Sequence, residues 1–563
     1  MSLFHAPSSL LPPIPDNLTI PQFILDTNLP YRPLRPSNVP WFIEDQSGRK
    51  IFYPEVRERT YNLASALCTQ FQLICLFSPN HTDYATVIWA VQSFGGVITP
   101  SNPTYTVDEL VHQLKITEAS LIVVHPMFFT TALGAAKVVG LPKERIVLLE
   151  KGPGAGNFAI SDLLQLASSQ QSHYVPKRLK SGEARTKIAF LSFSSGTTGK
   201  PKAVAIPHFS VIANVIQMAT HYRITDPTQK DQRLIPGDIA MAVLPFFHIY
   251  GLVVTMHFSL FCGMSLVVVP KFSFTEFLKS IVRYRATHLY LVPPQIVLLC
   301  KASLQHYDFS HVKYCMSGAA PLSGELMQKI TKLLPNAAIG QGYGLTETCT
   351  TISMLPSEQR VGTIGSAGQL IPGIAARVVK PDGSLAGEGE QGELVVKGPS
   401  MSLGYYKNPE ATKETFVDGW VRTGDEVIIK NAEIFVVDRL KEIIKVRGFQ
   451  VAPAELEGHL LLHPDVADAC IVGIPDDYSG EIPLAYVVPT EAASARIAAN
   501  PEEAQNLTDA LKKHVSDAKV QYKWLAGGIE FIDVIPKNPS GKILRRVLRD
   551  KARAARTIVK AKL

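Results

Sequence analysis

The sequence predicts an α/β protein in two parts: a large N-terminal body of parallel-type sheets with helices plus a β-rich subdomain, and a small α+β C-terminal unit. Three observations lead there. Between about residues 119 and 334, short apolar runs alternate with amphipathic stretches of helical length, the texture of parallel sheets covered by helices. From 360 to 437 the alternation gives way to short strands and Gly/Pro/Asp turns, as in PGIAARVVKPDGSLAGEGEQGELVVKG. After VVDRLKEIIKVRGFQ a compact helix–strand unit begins, which divides the chain into residues 1–440 and 441–563.

Taken in order, a proline-rich lead-in occupies residues 1–45. Strands are expected within 119–126 (SLIVV), at KIAFLSFS (187–194), IAMAVLP (239–245), SLVVVP (265–270) and THLYLVPP (287–294), runs rich in β-branched and apolar residues that often close on Pro. Helices are expected at TEFLKSIVRYR (275–285) and SGELMQKITKLL (323–334), where apolar residues recur at helical spacing. Residues 240–270 carry no Asp, Glu, Lys or Arg, a span long enough to cross a bilayer. Pro245, His248, Gly251, His257 and Gly263 interrupt it, so a buried helix followed by a core strand is expected and no transmembrane segment. In the C-terminal unit the pattern reads helix (453–462), strands (467–474 and 482–489), helix (507–517), strand (529–534) and a basic tail helix, with Ala-rich 491–506 as an exposed loop.

Composition excludes several classes. With 46% hydrophobic and 19% charged residues, 38 Gly and 40 Pro, the chain of 563 residues is neither disordered, collagen-like nor a coiled coil. Of the net charge of +7, residues 541–563 contribute nine Lys/Arg against one Asp, which leaves the rest close to neutral. A nucleic-acid partner is therefore not expected, since that would call for a basic stripe along a groove. The seven cysteines are far apart and match no zinc spacing, the pattern of reduced core thiols. MSLFHAPSSLLPPIPDN has no basic n-region, and prolines break its apolar run, so no signal peptide is expected.

SSGTTGKPK, running from Ser194 to Lys202 behind an apolar strand, carries the strongest chemical signal. Ser194, Ser195, Thr197 and Thr198 offer hydroxyls, Gly196 and Gly199 allow backbone N–H groups to close on a polyphosphate, and Lys200 and Lys202 add charge. It is not a Walker A loop, which needs four residues between its first glycine and the Gly–Lys pair.

The string resembles the phosphate loop of the adenylate-forming superfamily: acyl- and aryl-CoA synthetases, beetle luciferase and peptide-synthetase adenylation domains. LPFFHIYG (244–251), MSGAAPL (316–322), QGYGLTE (341–347), GWVRTGD (419–425), VDRLKEIIKVRGFQVAPAELE (437–457) and PKNPSGKILRR (536–546) follow in that family's order. The likeness is greatest to 4-coumarate–CoA ligases and phenylacetyl-CoA ligases. It implies an ATP- and Mg2+-dependent ligation of a carboxylic acid to coenzyme A, with residues 441–563 acting as a mobile lid.

Site residues follow from the resemblance. Glu347 is matched to the magnesium ligand, Thr346 to an α-phosphate donor and Tyr343 to the adenine face. Ala319, Ala320, Gln341, Gly342 and Gly344 complete the nucleotide wall. Asp425 and Arg439 are matched to the ribose contacts, and Lys542 to the lysine that serves adenylation. Lys445 and Gln450, with Gly448 between them, match the residues of the thioester step, and Lys441 falls at the hinge. Taken singly, Glu347 reads as a surface ion-pair residue and Asp425 as a turn residue; the motif frames lift them above that. His248 sits at the family's aromatic gate. Ile249, Tyr250, Val254, Gly318, Ala319, Gly342, Thr350 and Thr351 are expected around the acyl group. Thr350 and Thr351 stand where plant coumarate ligases carry Pro and Val, which leaves aryl and medium-chain aliphatic acids open. A luciferase-like adenylating oxygenase and a non-catalytic acyl-adenylate binder are the alternatives. Ala561–Lys562–Leu563 resembles the small–basic–Leu peroxisomal address, which implies the import receptor as partner and the peroxisomal matrix as location.

Overall fold

The computed structural model describes residues 2–7, 10–68, 72–152, 156–169, 174–194, 201–229, 231–447, 449–476, 478–538 and 541–560. The fold class is the one expected. Two largely parallel sheets form the body. The six-stranded sheet runs in the order Ile146–Leu148, Leu121–Val124, Leu73–Phe77, Val97–Ser101, Ile188–Ser194 and Lys202–Pro207, antiparallel only at its last pair. The seven-stranded sheet runs Ala338–Gln341, Tyr314–Ser317, His288–Leu291, Ile239–Ala242, Ser265–Val268, Phe42–Glu44 and Lys50–Ile51, antiparallel only at its closing hairpin. Parallel strands need cover on both faces, which explains why these runs are apolar throughout rather than alternating.

Helices Tyr84–Ser93 and His208–His221 fill the space within this body, the first with all ten residues buried. The charge-free stretch is a buried turn of π-helix, Tyr250–Phe258, continued by Ser259–Phe261, ahead of strand Ser265–Val268. Every residue from 250 to 261 is buried, as expected for a helix apolar all round. Among the described residues no helix is long and apolar enough to cross a membrane.

A nine-stranded antiparallel sheet provides the β-rich part. It begins before residue 360, at Tyr343–Leu345, and includes Trp420–Lys430 paired with Glu433–Arg439. The proline-rich lead-in is more than a linker: Phe4–His5 adds an edge strand to this sheet, and Phe23 and Ile24 are core residues. The last sheet, of five strands, comes wholly from residues 444–531, with Gly528–Phe531 parallel to Gly480–Pro489. Helix Arg545–Lys560 lays Leu548 and Ala552 beneath it, against Val472 and Tyr486.

Residues 491–506, expected as a loop, are instead helix Glu491–Ala499 and the start of Glu502–Ala518. Alanine is the strongest helix former, Thr490 Oγ1 accepts the Ala493 N–H at 3.4 Å, and Ala493 packs in one cluster with Leu507 and Val487. An alanine-rich composition suggests exposure, whereas the segment keeps one small residue inward. All seven cysteines are free, and five are buried.

Candidate active site

The ends of strands Ile188–Ser194 and Lys202–Pro207 face each other, Ser194 opposite Lys202. Ser195, Gly196, Thr197, Thr198, Gly199 and Lys200 lie outside the described residues. Across from this opening, the 3-10 turn Thr346–Thr348 presents Glu347, which is buried. Its Oε1 accepts hydrogen bonds from Ser194 Oγ and from the Tyr405 hydroxyl, each at 2.9 Å. The Lys202 ammonium lies 4.8 Å from the centre of the Tyr405 ring, a cation–π distance. Tyr405 gives no signal in the sequence; only the chain crossing brings it to the carboxylate.

On the other side of the cleft, strand pairing sets Asp425 opposite Arg439. Arg439 Nε stands 3.4 Å from Asp425 Oδ1, and the Tyr343 hydroxyl donates to Oδ2 at 2.5 Å. Burial raises the Asp425 pKa, with Arg439 and the phenol acting against that rise. Thr423 Oγ1 accepts the Asp425 N–H at 3.1 Å while donating to Leu394 O at 2.8 Å, which fixes the turn before the aspartate. Gly344 must be glycine, because a Cβ there would lie 1.5 Å from the Thr350 carbonyl oxygen. Gln341 lines a cavity of about 610 Å³, and its amide accepts from Leu322 N at 2.7 Å and donates to Ser366 O at 2.9 Å. It holds the wall that Ala319, Ala320 and Gly342 form.

Lys542 enters from the C-terminal unit on a closed turn, in which its N–H donates to Asn538 Oδ1 at 2.9 Å and its carbonyl accepts from Asn538 N at 2.8 Å. It lines two adjoining cavities, of about 610 and 760 Å³, together with Ala319, Gly344, Arg439 and Lys537. Burial lowers its pKa to about 8, as does the neighbouring Arg439, while Glu442, Asp425 and Glu347 pull the other way. His248 borders the larger cavity, its pKa lowered to about 4 by burial and by the Lys542 charge, so its imidazole is neutral and accepts the Tyr250 N–H at Nδ1 (3.3 Å). Behind Lys542, Arg545 is buried between Glu442 and Glu457 and ties the turn to the segment just after Lys441.

A family model described as AMP-binding enzyme matches residues 34–406, and one described as AMP-binding enzyme C-terminal domain matches residues 455–542. The chain belongs to the AMP-binding enzymes. Among relatives, 4-coumarate–CoA ligase 5 of Oryza sativa subsp. japonica is 34% identical over 556 residues, covering 96% of each chain. Peroxisomal OPC-8:0-CoA ligase 1 of Arabidopsis thaliana is 34% identical over 517 residues, 90% of this chain and 89% of that protein. In fold, the chain is similar to the anthranilate CoA ligase AuaEII bound to anthranoyl-AMP, with a TM-score of 0.80 at 23% identity over 97% of this chain and 99% of that one.

Within this AMP-binding enzyme the remaining candidates separate. Thr346, Ile249 and Lys441 border the 760 Å³ cavity. Tyr250 packs its ring against Gly318, where a Cβ would lie 2.8 Å from Tyr250 Cε1, and donates to Met316 O at 3.2 Å. Val254, Thr350 and Thr351 are buried and line neither of these two cavities. Lys445 and Gln450 face each other on the hairpin of strands Ile444–Val446 and Phe449–Val451, exposed and away from both cavities. Gln450 Oε1 accepts from Gln391 Nε2 of the body at 2.7 Å. Gly448 and Ala561–Lys562–Leu563 lie outside the described residues. Lys537, which lines both cavities, escapes notice in the sequence because it reads as one more basic residue before a turn.

Proposed function

We propose that this AMP-forming acid–CoA ligase joins an aryl acid of cinnamate or phenylacetate type, or a medium-chain acid, to coenzyme A in two steps. A carboxylate oxygen of the acid attacks the α-phosphorus of ATP, the bond to the bridging oxygen breaks, and pyrophosphate leaves. The thiolate of coenzyme A then attacks the carbonyl carbon of the acyl adenylate, the carbon–oxygen bond breaks, AMP departs, and the thiol proton passes to solvent. The observation that carries this reading is Lys542, which lines one cavity with His248, Glu347 and Arg439 and the adjoining one with Asp425.

Lys542 stabilises charge that develops on the carboxylate and the α-phosphate, an interaction stronger in the transition state than before it. Asp425 accepts the ribose hydroxyls. Neutral His248, with Ile249, walls the acid from the thiol. Glu347 fits a magnesium ion: its carboxylate is buried and oriented by two hydroxyls, and among the described residues no group of three or more His, Cys, Asp or Glu side chains could hold a metal alone. When bound, Mg2+ supplies positive charge against the phosphate oxygens. A rotation about Lys441 would exchange Lys542 for the Lys445–Gln450 face, so that one cleft serves both half-reactions.

A panel of aryl and aliphatic acids assayed for CoA-dependent AMP formation tests the reading. Lys542→Ala is expected to lose acid-dependent pyrophosphate release by about 100-fold or more while still converting supplied acyl adenylate to thioester, and Lys445→Ala to do the reverse. Loss of the same half-reaction in both variants would overturn the two-face lid. Oxygen uptake or light in place of thioester would favour the luciferase-like alternative. The peroxisomal address in Ala561–Lys562–Leu563 belongs to the same proposal, supported by the relative named as peroxisomal. A fluorescent fusion ending in that tripeptide should enter peroxisomes, and one lacking it should stay outside.

A further inference from the structure

Asn80 follows strand Leu73–Phe77 of the six-stranded sheet, yet its side chain is spent entirely on the other parallel sheet. Nδ2 donates to the carbonyl oxygens of Ala242 (3.0 Å) and Leu244 (2.9 Å), and Oδ1 accepts the Phe246 N–H at 2.7 Å. These are alternate residues of the chain as it leaves strand Ile239–Ala242, and all three bonds are buried. One amide thus satisfies the buried Leu244 carbonyl and Phe246 N–H and adds a second donor to the Ala242 carbonyl, which also accepts the Val269 N–H at 3.3 Å.

The turn that carries Asn80 is itself braced. Arg59 Nη2 donates to both carboxylate oxygens of Asp83 at 2.6 Å, and His81 Nδ1 accepts the Asp83 N–H at 3.0 Å. Downstream of the stitch the chain has little freedom either. His248 N–H donates to Pro245 O at 3.1 Å, Leu252 N–H to His248 O at 2.9 Å, and Gly251 sits so close to Pro245 that a Cβ would lie 2.1 Å from its carbonyl oxygen. Leu244–Phe246 are thus tied closely to His248 and Ile249, which border the 760 Å³ cavity.

We infer that Asn80 is a positioning residue for the acid side of the site: by pinning residues 242–246 it sets where His248 and Ile249 stand, and through them how the carboxylic acid is held. The assignment of that side to the acid rests on the function proposed above. The nucleotide side stands on other elements, with Asp425, Tyr343 and Glu347 on the antiparallel sheet and its 3-10 turn, so the two sides are separable by experiment.

The test uses the full chain with Asn80→Ala and Asn80→Gln, the second keeping the amide on a stem one methylene longer. In both, KM for the acid should rise, by about tenfold or more in Asn80→Ala, while KM for ATP stays within about twofold. Carbethoxylation of His248 by diethyl pyrocarbonate, read by peptide mass spectrometry, should speed up at least fivefold or so, with buried His257 unreactive as a control for folding. Equal rises in both KM values, or an unchanged acid KM, in variants that fold overturn the assignment. An unchanged His248 modification rate does so as well, and that readout holds even if no acid is turned over, an outcome that would count against the ligase reading alone. Should Asn80→Ala not fold, Asn80→Gln decides by the same two measurements.

Discussion

An ammonium whose pKa lies near 8 titrates in the range where ligases are assayed. Below that pH Lys542 is charged and, on the proposed mechanism, stabilises the developing anion; above it the charge is lost, so kcat/KM for ATP in acid-dependent pyrophosphate release, which reports the free enzyme, should fall towards about tenfold per pH unit on the alkaline side. Lys542→Arg keeps its charge far above that range, and its rate, lower overall, should stay flat to about pH 10 in the same assay. A parallel alkaline fall in both proteins would assign the limb to another group. The residues that motifs name, Lys542, Glu347 and Asp425, were legible because each sits in a string of several residues, and chance does not set so many strings in one order along a chain. Tyr405, Lys537 and Asn80 were not. Each acts through a contact made by chain segments remote in sequence, and a lone Tyr, Lys or Asn carries no local pattern. Gln341 carries a second task that its motif does not announce, since its amide also serves Leu322 and Ser366.

At the level of elements, alternating texture located five strands of the two parallel sheets, Leu121–Val124, Ile188–Ser194, Ile239–Ala242, Ser265–Val268 and His288–Leu291, and the uncharged stretch located the buried helix. Its π register was invisible, because an element apolar all round has no face whose period could be counted. The strand-to-helix turn there depends on Gly251. Gly251→Ala must displace the Pro245 carbonyl, and an overpacked core position costs about 1–3 kcal/mol. Urea unfolding should register that loss, and KM for the acid should rise with it; an unchanged midpoint would mean that the turn relaxes freely. The Ala-rich helix Glu491–Ala499 eluded the sequence for a related reason: its inward face consists of Ala493 and the partly buried Ile497, too little to mark a hydrophobic stripe.

For the whole molecule, buried histidines steepen the response to acid: His248 at the cleft and four more that line neither cavity. Burial holds His208 near a pKa of about 3 and His221, His257 and His288 near about 4, below the ordinary value of about 6.5. As pH falls below 6.5 the unfolded chain takes up protons that the native protein refuses, so stability declines until the native pKa values are reached. Each site approaches about 1.4 kcal/mol per pH unit at most, and Asp438, pushed up to about 6 by burial, takes up its proton in the native protein over the same window and offsets part of the loss. Denaturant midpoints measured from pH 7 to 4 should drop steeply in that window and be flat above it; a drop confined to below pH 4 would assign acid lability to carboxylates. The cleft has its own long-range feature. Strand Glu433–Arg439 ends on the residue that meets Asp425, and Leu440 N–H, the next along, bonds the Gly424 carbonyl at 3.0 Å. The buried aspartate and the start of the C-terminal unit are therefore fastened together by one ion pair and one backbone hydrogen bond, so a substitution at Arg439 bears on both at once.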